Sequence, residues 1–293
     1  MAGGSRTEPV LITGCSSGIG RAAAASLHDA GLRVYATARR VDVLVGLASR
    51  GITTLALDVT DEQSMAQAVA AVEADAGSVG TLINNAGYGL YGPVEQIPMA
   101  EIRRQFETNF FGLVRLTQLV LPGMRRRRGG GRILNVSSMG GRATLPGGAF
   151  YHASKYAVEA FSDALRMEVA QFGIQVVLIE PGPVKTPWTD TAAGSLADAA
   201  GGSATDGGGG GDPYAAYKAA VGVSFGRTTS GFVARLGSDA QDIAKVISRA
   251  ATARRPHTRY LINPVAKGVV ALNQLLPGRV YDAVIRRQYG LPS

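Results

Sequence analysis

Seven short apolar runs alternate with amphipathic or alanine-rich stretches along this chain, and that alternation restricts the fold more than any other feature. Strands are expected at Pro9–Thr13, Arg33–Thr37, Thr53–Asp58, Thr81–Asn84, Gly131–Ser137, Gln175–Glu180 and Arg259–Ile262. Helices are expected at Ile19–Ala30, Asp42–Ser49, Asp61–Asp75, Met99–Arg127 (broken near Pro122), Tyr151–Phe172 and Asp239–Ala253. Repeated strand–helix–strand units lay their strands parallel in one sheet and cover both faces with helices. Asp61 with Glu62, and Ser238 with Asp239, supply acidic or capping starts, while Gly31 and Gly173 stand where left-handed C′ residues belong. No boundary interrupts the alternation. The expected fold is therefore one α/β domain over residues 1–293, a Rossmann-type doubly wound parallel sheet of about seven strands flanked by helices.

Two segments depart from the pattern. Residues 188–231 contain Gly201-Gly202 and the five-glycine run Gly207–Gly211, a composition that disfavours regular structure beyond a short helix at Asp212–Gly222. A long glycine-rich insertion in a compact domain is expected to act as a substrate lid. Residues 264–293 mix apolar residues with Lys267, Arg279, Arg286 and Arg287, and read as a helical tail facing solvent, a partner or a membrane surface.

Composition excludes several functions. The single cysteine, Cys15, leaves no internal disulfide or multi-cysteine metal cluster, and fits a reducing, cytoplasmic setting. His28, His152 and His257 show no ligand spacing, so no metal site is expected. The start lacks the apolar core of a signal peptide, and no apolar run approaches the roughly 20 residues that span a bilayer. Net charge is +8, part of it in Arg125–Arg128. Without interleaved aromatic residues, that run reads as a solvated loop rather than a nucleic-acid site. Basic charge also suits an anionic cofactor.

Two spans carry the chemistry. Val10–Thr13 is an apolar strand running into Gly14-Cys15-Ser16-Ser17-Gly18-Ile19-Gly20 and then an alanine-rich helix. That arrangement presents backbone N–H groups and a helix N-terminus to a pyrophosphate. In mid-chain, Ser138 precedes Tyr151 by thirteen residues, and Lys155 lies one helical turn beyond the tyrosine. Positions i and i+4 share a helix face, which sets a phenol beside an ammonium. Together the spans point to nucleotide-dependent redox at a carbonyl or carbinol.

Gly14-x-x-x-Gly18-x-Gly20 does not meet the general G-x-G-x-x-G dinucleotide pattern. It resembles the TGxxxGIG turn of the classical short-chain dehydrogenase/reductase superfamily. The resemblance continues in order through Asp58-Val59, Asn84-Asn85-Ala86-Gly87, Asn109, Asn135-Val136-Ser137-Ser138, Tyr151-His152-Ala153-Ser154-Lys155 and Pro181-Gly182, and covers about residues 9–187. The wording of TGCSSGIG, VYATAR and Asn135–Pro181 is most similar to the branch holding 17β-hydroxysteroid and retinol dehydrogenases.

The resemblance implies a catalytic set of Asn109, Ser138, Tyr151 and Lys155. Ser137 and Ser138 compete for one role, and the family's spacing to the tyrosine selects Ser138. The cofactor set it implies is Gly14, Ser16, Ser17, Gly18, Ile19, Gly20, Arg39, Arg40, Asp58, Val59, Asn85, Ala86, Gly87, Tyr151, Lys155, Pro181, Gly182, Val184 and Thr186. Asn84 and Asn85 also read as pins of the central strand. His152 is given no catalytic role. By family, Asn109 holds a water linking Lys155 to solvent, while Val184 and Thr186 hold the carboxamide.

A free phenol titrates near 10, too high for a base at neutral pH, and a neighbouring ammonium lowers it. Tyr151 is thus expected to move the proton, with Ser138 stabilising charge on the substrate oxygen. The second strand ends Ala36-Thr37-Ala38-Arg39-Arg40. An NAD site places a carboxylate at such a strand end, whereas arginine binds a 2′-phosphate. NADP(H) is therefore favoured over NAD(H). The branch implies a bulky apolar substrate, steroid-, retinoid- or lipid-like. The alternatives are a reductase of acyl or polyketide carbonyl intermediates and a non-catalytic NADPH-sensing regulator. Ala157, Val158, Phe161, Leu165, Met167, Val169 and Phe172, with Leu113, Leu116, Val120 and Leu121, exceed one buried stripe. They point to a homodimer or homotetramer.

Overall fold

Val10, Leu11 and Ile12 on strand β1 (Pro9–Ile12) are all fully buried, although their side chains point alternately to opposite sheet faces. A strand covered on both sides must be apolar at every position, which is why the run is continuous. The computed structural model describes residues 8–127, 129–186, 188–201, 212–229 and 236–291. In it, β1 lies mid-sheet beside β2 (Arg33–Ala38) and β4 (Thr81–Asn84). The remaining strands are β3 (Thr53–Ala56), β5 (Arg132–Val136), β6 (Gln175–Pro181) and β9 (Arg259–Ile262). All pairings are parallel, in the order β3-β2-β1-β4-β5-β6-β9. The chain reverses its winding between β1 and β4, where a doubly wound sheet opens a crevice at its carboxyl edge.

One face is closed by α1 (Gly18–Asp29) and α9 (Ala240–Thr252), where Ala22–Ala25 meet Ile243, Ala244, Ile247 and Ala250. Small side chains let the two helices pack closely over the sheet. The other face takes α3 (Glu62–Ala76), α5 (Gly112–Arg126) and α6 (Ala149–Val169), with Val72, Leu116, Val120, Leu165 and Val169 inside. A short helical segment, α2 (Val45–Ala48), follows β2, and the helix α4 (Met99–Phe106) follows β4. Asp61 caps α3 by accepting from Ser64 N at 2.9 Å, and Asp239 caps α9 with Asp242 in a reciprocal box. Gly31 and Gly173 have φ of +82° and +70°, the left-handed turns their positions predict.

Four expectations need correction. The long helix does not break at Pro122, which sits inside α5. It loosens instead into a π-turn at Glu107–Phe111, between α4 and α5. The turn carries Asn109 inward, and Gly112 follows because a Cβ there would lie 2.2 Å from Val59 O. Second, the arginine run is not merely a solvated loop. Arg127 pairs with Glu8 at 2.9 Å, and Arg126 approaches Glu73 at 3.7 Å. Arg128 lies outside the described residues.

Third, the insertion is largely helical over its described residues. It forms α7 (Trp188–Gly201) and α8 (Ala215–Thr229), and a two-residue strand β7 (Val184–Lys185) pairs with β8 (Ser238–Asp239). The local composition is overridden by tertiary burial of Ala192, Leu196 and Val221 against Tyr91 and Tyr151. The run Gly207–Gly211 lies outside the described residues. Fourth, much of the apolar surface assigned to a partner is covered within one chain. Leu113, Leu116, Val120, Val158, Leu165 and Val169 are buried, leaving Phe111, Tyr156, Met167 and Phe172 exposed. The tail forms α10 (Pro264–Leu275) and α11 (Gly278–Tyr289). Among the described residues, no helix is long and apolar enough to cross a membrane.

Candidate active site

The crevice at the β1/β4 switch is a cleft of about 710 Å³. Its floor starts at Thr13, whose hydroxyl accepts from both Asn85 N and Ala86 N at 3.0 Å. Asn85 Nδ2 donates back to Thr13 O at 2.9 Å and to Gly14 O at 3.2 Å. The ends of β1 and β4 are thereby locked together. Asn84 ties β4 to β5 in turn, donating to Asn135 Oδ1 at 2.9 Å. Asn135 in turn donates to Ser162 Oγ on α6 at 2.9 Å.

The glycines of the turn each answer a different constraint. Gly14 and Gly18 have φ of +73° and +53°. Gly20 has no such strain, but a Cβ there would stand 2.2 Å from Gly14 O. Ser16 and Ser17 are exposed at the N-terminus of the twelve-residue α1, which offers unsatisfied N–H groups and the positive end of the helix dipole. Arg21 holds the turn from behind, donating to Ser16 O at 2.6 Å. Cys15 is fully buried, and burial pushes its thiol up to about 12, so it is inert filler.

Ala38 and Arg39 line the cleft at the end of β2, and Arg39 is exposed there. Arg40 is absent from the lining. It points to solvent and faces Asp42 at 3.8 Å. Asp58, Val59, Asn85, Ala86, Gly87, Pro181, Gly182, Val184 and Thr186 all line the cleft. Asp58 Oδ1 accepts from Thr60 N and Thr60 Oγ1, fixing the turn after β3. This constellation fits a dinucleotide: a glycine cradle, a helix N-terminus, and a strand end carrying arginine in place of a carboxylate.

At the other end of the cleft stand Ser138, Tyr151 and Lys155. Ser138 leaves β5 with its hydroxyl accepting from Gly140 N at 3.0 Å and bonding the Tyr151 phenol. Its neighbour Ser137 turns the other way, towards Glu159. Lys155 is buried and donates to Val136 O at 2.9 Å, with its Nζ 6.0 Å from the Tyr151 ring centre. Burial pushes Tyr151 up to about 12 against the Ser138 bond, and lowers Lys155 to about 8 against the charge of Glu159. Burial thus sets the direction for the phenol in this state, opposite to the expected lowering.

Asn109 is buried behind this group rather than in the lining. Its Nδ2 donates to Tyr88 O at 2.9 Å and Ser154 Oγ at 3.1 Å, and its Oδ1 accepts from Tyr88 N at 3.0 Å. The π-turn thereby clamps the loop after β4. His152 spans Gly140 O at 3.0 Å and Leu145 N at 3.1 Å. One ring nitrogen must donate and the other accept, so the imidazole is neutral, and burial lowers its pKa accordingly. It shapes the loop beneath Ser138.

Sequence reasoning missed the chamber around the phenol. The Trp188 and Tyr91 rings lie 5.1 Å and 5.8 Å from that of Tyr151, and Phe225 meets Tyr91 edge-on at 4.8 Å. Tyr289 of α11 lines the same space. Polar ties dock the insertion here: Tyr91 N donates to Ser195 Oγ at 2.9 Å, and Gly147 N to Tyr217 Oη at 2.6 Å. Only the aromatic residues of an apparently glycine-rich segment could have signalled it.

A parallel dinucleotide sheet with serine, tyrosine and lysine at its carboxyl edge defines a class of oxidoreductase. The short chain dehydrogenase family model matches residues 8–197, and the chain belongs to that family. It is 36% identical over 280 residues to the uncharacterized oxidoreductase YbbO of Escherichia coli (strain K12), covering 95% of this chain and 94% of the relative. It is 37% identical over 294 residues to retinol dehydrogenase 8 of Bos taurus, covering 96% and 89%. The crystal structure of a short-chain dehydrogenase from Streptomyces avermitilis superposes with a TM-score of 0.76 at 31% identity, covering 98% and 96%. The chain is thus an oxidoreductase of the branch that its motifs resemble.

Proposed function

We propose that the protein interconverts a ketone or aldehyde and an alcohol on a bulky apolar substrate, using NADP(H). The observation that carries this is the meeting of Ser138, Tyr151 and Lys155 inside an aromatic chamber at the far end of a dinucleotide cleft. A bound nicotinamide supplies the hydride-transferring group. Tyr151 gives its phenolic proton to the carbonyl oxygen in reduction and takes one back in oxidation. Ser138 donates to that oxygen as charge builds on it. Lys155 supplies positive charge behind the phenol, and the carbonyl of Val136 orients it. Asn109 holds the Tyr88 loop, which forms one wall of the site. Arg39, with no acid at Ala38, receives the 2′-phosphate.

An apolar substrate is supported by Tyr91, Trp188, Val221 and Phe225 in the lining, and by the name of the bovine relative, a retinol dehydrogenase. A panel of hydrophobic and hydrophilic ketones, followed by cofactor absorbance, tests the assignment. Turnover is expected with bulky apolar members. A protein that binds NADPH and turns over none of them is a sensor, not this enzyme.

The two-helix insertion acts as the lid. Hydrogen exchange should show α7 and α8 gaining protection on adding cofactor and substrate, since they pack directly over the cleft and a bound substrate would add contacts to them. Equal protection in free and ternary forms would make the insertion a fixed wall. Exposed Phe111, Tyr156, Met167 and Phe172 on the α5/α6 side support an isologous dimer. Sedimentation at micromolar concentration should give a dimer or tetramer, and a fully active monomer would show these residues to be ordinary surface.

A further inference from the structure

One helical turn beyond Lys155, the same face of α6 carries Glu159, which is almost wholly buried and touches neither the cleft nor the lid. Directly across from it, Glu180 on β6 is completely buried. Both carboxyl groups reach the same nitrogen, Arg259 Nε, which ties them into one buried cluster. Glu159 Oε1 and the buried hydroxyl of Ser137 beside it have no aligned hydrogen-bond partner among the described residues, and Glu180 Oε1 has only Arg259 Nε, at 3.1 Å and off the hydrogen-bond line. Two buried carboxylates gathered on one guanidinium repel, and a single proton held by the pair relieves that repulsion.

The nearest cation is divided among three carboxylates. From β9, Arg259 Nε reaches Glu159 Oε2 at 3.3 Å and Glu180 Oε1 at 3.1 Å. The same guanidinium also pairs with Asp163 on α6, which is paired in turn with Arg166. From the loop after β5, Arg142 Nη1 stands 3.4 Å from Glu180 Oε2. On α6 itself Glu159 is flanked by Lys155, Tyr156 and Asp163, and Ser137 faces it from the end of β5. The site is sealed as well: at Gly141 a Cβ would stand 2.8 Å from Ser137 Oγ and 2.9 Å from Glu159 Cγ.

We propose that Glu159 and Glu180 share one proton at neutral pH, and that Glu159, by releasing it as pH rises, is a positioning residue that keeps Lys155 charged. Burial raises both carboxyls, and the charge of Glu180 raises Glu159 further. Burial also drives Lys155 towards neutrality, and the charge of Glu159 opposes this. The negative charge on Glu159 thus develops in the pH range where the buried ammonium would otherwise be lost. The proton leaves the pair for solvent; nothing is oxidised or reduced. The link from Lys155 to turnover rests on the function proposed above, but the shared proton does not.

Infrared spectroscopy tests the shared proton directly on the wild-type protein. At about pH 6 exposed carboxyls are ionised, so a protonated-carboxyl band there must come from a perturbed group. The band is expected, should vanish as pH rises, should be missing in E159Q, and should titrate at lower pH in E180Q. No band in the wild type overturns the proposal, whether or not either variant folds. The second readout is the pH profile of kcat/KM for NADPH-dependent ketone reduction. In E159Q the alkaline limb should move to lower pH by on the order of one unit. In E180Q it should stay, because Glu159 is ionised there anyway. Cofactor KM should be unchanged in both. Superposable profiles for wild type and E159Q overturn the positioning role, provided Y151F is inactive. An active Y151F instead indicts the assigned function and leaves the infrared result standing.

Discussion

Tyr151→Phe lowers kcat by roughly 10²- to 10⁴-fold, the usual contribution of a proton-transferring group. The ring should stay in place, because its contacts with Trp188 and Tyr91 use carbon atoms that phenylalanine keeps. What is lost is the hydroxyl that bonds Ser138 and moves the proton. Cofactor affinity, set at the opposite end of the cleft, should change little. Binding titration and single-turnover rates on one preparation separate the two effects. A variant within a few-fold of wild-type turnover would remove Tyr151 from the chemistry.

The second large effect is on cofactor choice. Ala38→Asp with Arg39→Ala should reverse a preference for NADPH, by about 10²-fold or more in the ratio of kcat/KM values. Loss of a charge-assisted phosphate contact and gain of like-charge repulsion each contribute on the order of 1.5–3 kcal/mol. Arg39 lines the cleft at the end of β2 while Arg40 faces Asp42 in solvent, so Arg39 should carry the effect alone. Arg40→Ala is expected to leave the ratio untouched. A wild type that prefers NADH would overturn the arginine assignment.

The inner sheet strands were legible in the sequence because a strand buried on both faces must be apolar throughout, as at Val10–Ile12 and Val176–Ile179, while the half-exposed edge strands β3 and β9 were legible from their place in the alternation. The residues of the cleft were legible for another reason. Glycines forced by close backbone approach, and Tyr151 and Lys155 at a helical spacing, leave marks that depend on local geometry alone. The π-turn left none, because Asn109 is drawn in by Tyr88 and Ser154, residues distant in sequence. Pro122 was the stronger local signal, yet α5 accommodates it. Likewise the glycine-rich composition of the insertion hid α7 and α8, which are held by contacts with Tyr91 and Gly147 rather than by propensity. The depth at which Tyr151 and Lys155 are buried, which raises the one and lowers the other, left no mark either: pair spacing is visible in sequence, and burial is not.

Isotope transfer tests the central claim most directly. The wild-type protein is incubated with NADPH deuterated at the transferable position of the nicotinamide and an apolar ketone that it turns over. The claim predicts one deuterium on the carbinol carbon of the product for each NADPH consumed, with transfer suppressed in Tyr151→Phe. NADPH consumption that leaves the carbinol carbon unlabelled, or labelled product formed equally well by Tyr151→Phe, would contradict it.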